Sequence, residues 1–397
     1  MSIRRRTFMS SSLVGLAPAF LSMPARASGV SRSEIVLGTH LDLAGAASVV
    51  TPPIRNGIQM RIDEANEAGG IHGRKIRLIV EDNSSLPPQA VRAVDKLIRR
   101  DNVFAIVCPF GSGPTVATAK KIVDAGVVCF GPYGASALVR QAAGPSPLLF
   151  TLNTHYDTTM SAGLKWAITN FGSKKVGFIY QEGPFGDLVG RGVKEALAAK
   201  GVPLAAQAGY RVGDIDFSSQ VARMRAADVD LIVTATVTRE TIAVMAEVKK
   251  LGWMGVKVLT ASPGRSGLTT IIGKDAVEGL YGVGAWNITP NAEQTGPLKA
   301  WSDSYRKRYN LEPDDAALNF YDYTSWFLQG VQAAGQDLTT DTLVKALQSS
   351  SFKGQSSYET QRFKDNHVDP EWIRVEQVEG GFWRPRSAVM DPAKSTQ

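Results

Sequence analysis

The chain has 397 residues, 44% hydrophobic and 20% charged, ample for packed cores in about two or three domains. Its formal charge of +7 is concentrated at the start: residues 1–27 carry four Arg and no acid, so the remainder keeps +3. No basic cluster is left there to serve nucleic-acid binding, and no later apolar run approaches the ~20 residues of a membrane span.

The first stretch, MSIRRRTFMSSSLVGLAPAFLSMPARA, has a basic start, an apolar middle and a small-x-small ending at Ala25-Arg26-Ala27. That pattern is a signal peptide over residues 1–27, expected to send the chain to a periplasm. Arg5-Arg6-Thr7-Phe8 fits the twin-arginine pattern, although general secretory export uses similar segments. No Cys directly follows the small residues near Ala27, as a lipid anchor would require.

From residue 34 apolar runs alternate with helical patterns. EIVLGTHLDL reads as a strand, PPIRNGIQMRIDEANEAGG as a helix with Pro at its start and Gly at its end, and RKIRLIVED as a strand. PPQAVRAVDKLIRR (helix), VFAIVCPF (strand), PTVATAKKIVDAG (helix) and VVCFGP (strand) continue the rhythm. After PLLFTLN it restarts with KKVGFIYQ, PFGDLVGRGVKEALAAKG, LAAQAGYRVG, SSQVARMRAAD, DLIVTAT, RETIAVMAEVKKLG and VKVLTAS. Near-continuous Val/Ile/Leu strands separated by helices predict α/β architecture with two parallel sheets covered on both faces. From about Pro290 the chain turns helical, then ends in polar-alternating strands SSYETQRFKD and EWIRVEQVEGGFWRPR. These pieces are too few for a third domain, so they must return to the first two, making a hinged cleft.

Two small-residue turns stand out in lobe one, Gly111-Ser112-Gly113-Pro114 and Gly131-Pro132-Tyr133-Gly134-Ala135-Ser136. The first follows a strand and opens a helix, with Pro114 suited to the first helical position. Free N–H groups at Gly111, Ser112 and Gly113, aided by the helix dipole, favour a carboxylate. The duller alternative is a helix cap at Ser112 or Gly113. Cys108 and Cys129 sit in apolar runs as small buried hydrophobes, although the compartment also permits a disulfide.

The segment IVLGTHLDLAGAASVVTPPIRNGIQMRIDEANEAGGIHGRKIRLIVEDNSS, with Gly57, Asn66, Gly69, Gly70, Ile71 and Gly73, resembles the opening of the leucine/isoleucine/valine-binding protein family. YQEGPFGDLVGRGVKEAL, GDIDFSSQVARMRAADVDLIVTA and AVEGLYGVGAW extend the likeness over nearly all of the chain after the signal. The resemblance implies a type I periplasmic binding fold serving an ABC importer. Lobe one would take 30–150 with 284–355, and lobe two 151–283 with 356–390. Ligand would lie between them at the carboxyl ends of the strands. Partners would be the permease and ATPase subunits at the inner membrane, with the chain a monomer holding no cofactor and no metal.

The same likeness places ligand contacts at Val50, Gly111, Ser112, Gly113, Tyr133, Gly134, Ala135, Ser136 and Phe185, with Thr236, Ser262 and Arg265 in the second lobe. The chain departs from the family after VKVLTAS, where amino-acid-binding members place a Glu and this one has Ser262-Pro263-Gly264-Arg265. Asp187, Glu182 or Asp42 are substitutes with ordinary structural roles of their own. An ammonium in a water-poor cleft without a carboxylate costs several kcal/mol. The expected ligand is therefore an aromatic or branched aliphatic carboxylate, the alternative a branched-chain amino acid. Tyr133 and Trp286 are candidate aromatic walls.

Catalytic readings find little support. His40, His72, His155 and His367 form no H-x-x-x-H or H-E-x-x-H pattern. PGRSGL falls one residue short of a nucleophile elbow, GSGPTV lacks the third Gly of a dinucleotide turn, and no G-K-[ST] occurs. A binding protein is the leading expectation, ahead of a periplasmic ligand sensor of the same fold and a hydrolase.

Overall fold

The computed structural model describes residues 29–394, so the expected signal over 1–27 lies outside the described residues. The first half runs β1 (Glu34–Leu41), α1 (Thr51–Glu67), β2 (Lys75–Asp82), α2 (Pro87–Arg99), β3 (Ala105–Val107), α3 (Ser112–Asp124), β4 (Val128–Phe130), α4 (Ser136–Ala143) and β5 (Leu149–Phe150). These strands form one all-parallel sheet in the order β2-β1-β3-β4-β5. Strand β1, flanked on both sides, is buried along nearly its whole length.

The second unit runs α5 (Tyr156–Phe171), β6 (Val176–Gln181), α6 (Pro184–Lys200), β7 (Leu204–Tyr210), α7 (Ser218–Ala226), β8 (Leu231–Ala235), α8 (Thr238–Lys250), β9 (Lys257–Thr260), α9 (Gly267–Gly273) and β10 (Tyr281–Gly284). After α10 (Gly296–Tyr309), α11 (Asp315–Ala334) and α12 (Thr340–Gln348) come β11 (Ser351–Phe352), β12 (Gln361–Lys364), β13 (His367–Asp369), β14 (Arg374–Glu379) and β15 (Phe382–Pro385). The second sheet has the order β15-β14-β10-β9-β8-β6-β7, with β14 and β15 added antiparallel as a hairpin turning at Gly380-Gly381. Both turn glycines have positive φ, which a two-residue hairpin requires.

Each sheet separates two apolar layers. Ile58, Phe104, Phe130 and Phe327 pack on one face of the first sheet, and Val94, Leu97, Ile122 and Cys129 on the other. The second sheet divides Leu188, Val233 and Val283 from Val221, Ile232 and Val244. The late helices return to the first sheet, α11 lying along α1 and α12 adding Leu343 and Leu347 to its core.

One boundary differs from expectation. Phe363 and Val368 are buried in the first core, so 361–369 sits with the first sheet and the last crossover falls just after it. Among the described residues, the chain passes between the two cores after β5, after β10 and after β13. No helix among them is long and apolar enough to cross a membrane.

Candidate functional site

The two glycine-rich turns are one structure. An isolated parallel bridge joins Phe110 to Tyr133: the Gly111 N–H donates to the Tyr133 carbonyl at 2.9 Å, and the Tyr133 N–H to that of Pro109 at 2.8 Å. The β3–β4 ladder is thereby carried beyond the strands. It corrects one expectation, since the Gly111 N–H is engaged and unavailable to a ligand. Gly111 instead supplies the backbone, at φ 102°, that turns the chain into α3. Helix α3 opens at Ser112, two residues before the expected start, so Pro114 is its third residue. First-turn amides have no intrahelical acceptor, which leaves the Ser112 and Gly113 N–H groups as donors. Gly134 has no substitute here: a Cβ on it would lie 2.8 Å from Ser112 Cα.

These turns line a cavity of about 240 Å³ between the lobes, just below the usual range of about 300–1,000 Å³ for ligand pockets. From lobe one come Gly111, Ser112, Gly113, Tyr133 and Gly134, with Ser85 and Phe110. Lobe two contributes Phe185, Tyr156, Gln181, Glu182, Val237 and Glu240. The Phe110 and Tyr133 rings stack at 5.8 Å, and Tyr156 meets Phe185 edge-on at 5.1 Å. Phe185 is therefore both core and wall: it is 3% exposed and still borders the cavity.

Six expected contacts lie outside the lining. Val50 sits at the N-cap of α1, while Ala46 and Ala47 of its loop reach the cavity. Ala135 is buried among lobe-two side chains, and the Ser136 hydroxyl donates to the Thr154 carbonyl at 3.3 Å. Thr236 is fully buried in a hydroxyl cluster with Thr234, Thr241 and Thr260. Ser262 is buried behind Pro263, which reaches the cavity in its place.

Arg265 departs furthest from a solvated loop residue facing ligand. It is wholly buried, its Nε donates to Glu376 Oε2 at 2.6 Å, and its Nη2 to the Trp286 carbonyl at 2.6 Å and Tyr358 Oη at 3.1 Å. Glu376 of β14, shared with Arg374, supplies the counter-charge such burial demands. Trp286 likewise faces inward, its indole N–H donating to Asp315 at 2.7 Å.

The charged groups on the cavity lining are thus Glu182 and Glu240. Glu182 is more than half exposed, with Arg211 3.7 Å away. Glu240, in the first turn of α8, is 3% exposed; one carboxylate oxygen has no partner among the described residues, and the other lies 3.6 Å from Arg239. Burial pushes its carboxyl above the ordinary range. Sequence reasoning passed over it because the family's acid was sought after the next strand. It stands as the last letter of TATVTRE, and helical phase from Thr238 was the available signal.

Other titratable candidates have internal duties. Asp42 accepts from the Ala47 N–H at 2.7 Å and shapes the loop before α1. His40 is fully buried between Asn83 and Thr118, and burial lowers it to about 3, so it is neutral. Cys108 and Cys129 are buried and unpaired, with burial pushing the Cys129 thiol up to about 12.

The Leu/Ile/Val-binding protein BraC3 of Rhizobium johnstonii is 24% identical over 322 residues, covering 80% of this chain and 84% of that one. A fatty acid ABC transporter substrate-binding protein from Thermomonospora curvata superposes with TM-score 0.82 at 22% identity, over 94% of this chain and 95% of its own. An R. palustris solute-binding protein in complex with benzoate gives 0.80 at 18%, over 89% and 96%. One from Rhodopseudomonas palustris BisB5 with 3,4-dihydroxy benzoic acid gives 0.79 at 20%, over 91% and 99%. Residues 34–381 match the periplasmic binding protein family model, and with two lobes closing on one cavity the chain belongs to that family.

Proposed function

We propose that this protein is the extracytoplasmic solute-binding component of an ABC importer and captures a small carboxylate whose far end carries a hydrogen-bond donor. The observation carrying this reading is one cavity with the Ser112 and Gly113 amides on one wall and buried Glu240 on the other. The carboxylate would take the amides and the Ser112 hydroxyl; the donor would satisfy the unpartnered oxygen of Glu240. Aromatic walls at Phe110, Tyr133, Tyr156 and Phe185 favour an aromatic acid, and relatives with benzoate and dihydroxybenzoate support it. A branched-chain amino acid is the second reading, favoured specifically by Glu240, which could receive an ammonium.

Ligand contacts made only when both walls meet would drive hinge closure, and the closed monomer would dock on the permease and ATPase pair. Release would follow without any covalent change. A thermal-shift panel of aromatic acids, hydroxylated aromatic acids, short aliphatic acids and amino acids tests this. At a hundred times its dissociation constant, a true ligand stabilises by about 2.7 kcal/mol. The reading is lost if no carboxylate shifts the transition.

A further inference from the structure

Two of the three crossovers bring together side chains that no sequence motif connects. His155 follows the first crossover, His367 lies in β13, and Glu371 sits on the segment leading into β14. The two imidazoles stack face to face, centroids 4.1 Å apart and 2° from parallel. Glu371 Oε1 is 2.6 Å from His367 Nε2 and 3.5 Å from His155 Nδ1, and one donor atom from each residue lies within 4.8 Å of the other two.

A network built only for internal hydrogen bonding would occupy every nitrogen. Here His155 Nε2 is enclosed with no hydrogen-bond partner among the described residues, and Nδ1 has only the Glu371 oxygen at 3.5 Å. His367 is the oriented ring, with Thr151 Oγ1 2.8 Å from Nδ1 turning Nε2 toward the carboxylate. Glu371 is itself fixed by the His155 backbone N–H at 2.8 Å and the Thr158 hydroxyl at 3.1 Å. The stacked rings aim a nitrogen each at the same carboxylate oxygen. Between a ring nitrogen and a carboxylate oxygen at 2.6 Å there must be a proton or another cation. Arg140, near Thr151, opposes a cation and tempers its affinity.

We propose that His155, His367 and Glu371 form a zinc-binding site at the hinge, two imidazoles and one carboxylate with a fourth position left for water. The ligands come from two crossover segments, so a bound ion would tie those segments together and couple metal availability to lobe movement.

The test is calorimetric titration of the tag-free, chelator-stripped protein with Zn²⁺ alone, repeated with Co²⁺ read by its visible absorption. One ion per chain is expected. His367→Ala and Glu371→Gln should each weaken binding at least tenfold. His155→Ala should do the same, with a circular dichroism spectrum matching the parent's. His72→Ala, on the turn between α1 and β2, should leave affinity unchanged. Absence of stoichiometric binding, or a His155→Ala variant that binds like the parent, overturns the assignment.

Discussion

Replacing Glu240 with Gln separates what the acid costs the protein from what it gives the ligand. One oxygen of Glu240 is enclosed with no partner among the described residues, and the other is 3.6 Å from a half-exposed Arg239. A half-satisfied buried carboxylate costs about 1–3 kcal/mol, and the Gln amide recovers only part because it too seeks partners. A net gain of about 1 kcal/mol is expected, visible as roughly 2–4 °C for a cooperative unit of 150–250 residues. Burial raises the Glu240 carboxyl above its ordinary 4.5, so the ionised form is the destabilised one. The parent therefore loses stability as pH rises from 4.5 through the native titration point. The gap to Glu240→Gln opens over that span, stays constant above it and closes on acidification. Ligand affinity moves the other way. A ligand placing an ammonium on Glu240 should weaken by about 1.5–3 kcal/mol, roughly 10- to 150-fold, whereas an acid without a donor should bind as well or better. Melting curves at pH 4.5 and 8 with calorimetry on both ligand types provide the readout. Equal melting at both pH values together with unchanged affinities would refute the reasoning.

Ser112→Ala should weaken a carboxylate ligand by about 1–2 kcal/mol in calorimetry with little change in stability. Arg265→Met strands Glu376 in the core, where Arg374 compensates only in part; urea unfolding should show a loss of about 3–5 kcal/mol, while the folded fraction keeps its ligand affinity. Gly57→Ala puts a methyl 2.1 Å from the Ala317 carbonyl oxygen where α1 crosses α11, and about 1–3 kcal/mol of stability should go. His40, held neutral down to about 3, makes the parent less stable as pH falls below 6.5, because only the unfolded chain gains the proton. Down to pH 4 this is on the order of 3 kcal/mol, and His40→Gln should flatten that slope in pH-dependent unfolding.

The strands and helices were legible because parallel strands buried on both faces leave unbroken apolar runs, as in LIVTA at β8. The lobe-one turns were legible for a related reason: glycine next to a strand end is a local signal. Lobe two resisted. Whether Arg265 faces solvent, ligand or core depends on Glu376, 111 residues away on a strand that joins just beyond β10. Thr236 and Ser262 follow strands as ligand residues do, yet neighbouring hydroxyls and Pro263 hold them back from the cavity. The His155–His367–Glu371 cluster was invisible because its members meet only where separate crossovers run side by side.

The Arg265–Glu376 pair also sets the order in which the molecule can be completed. Strand β14 enters the second sheet only after the polypeptide has returned from the first lobe, so a nascent chain stopped near residue 370 has an arginine in its interior without its principal counter-charge. The second lobe cannot mature while the ribosome still holds β14, and truncations that remove this strand should damage a lobe whose other strands were synthesised long before.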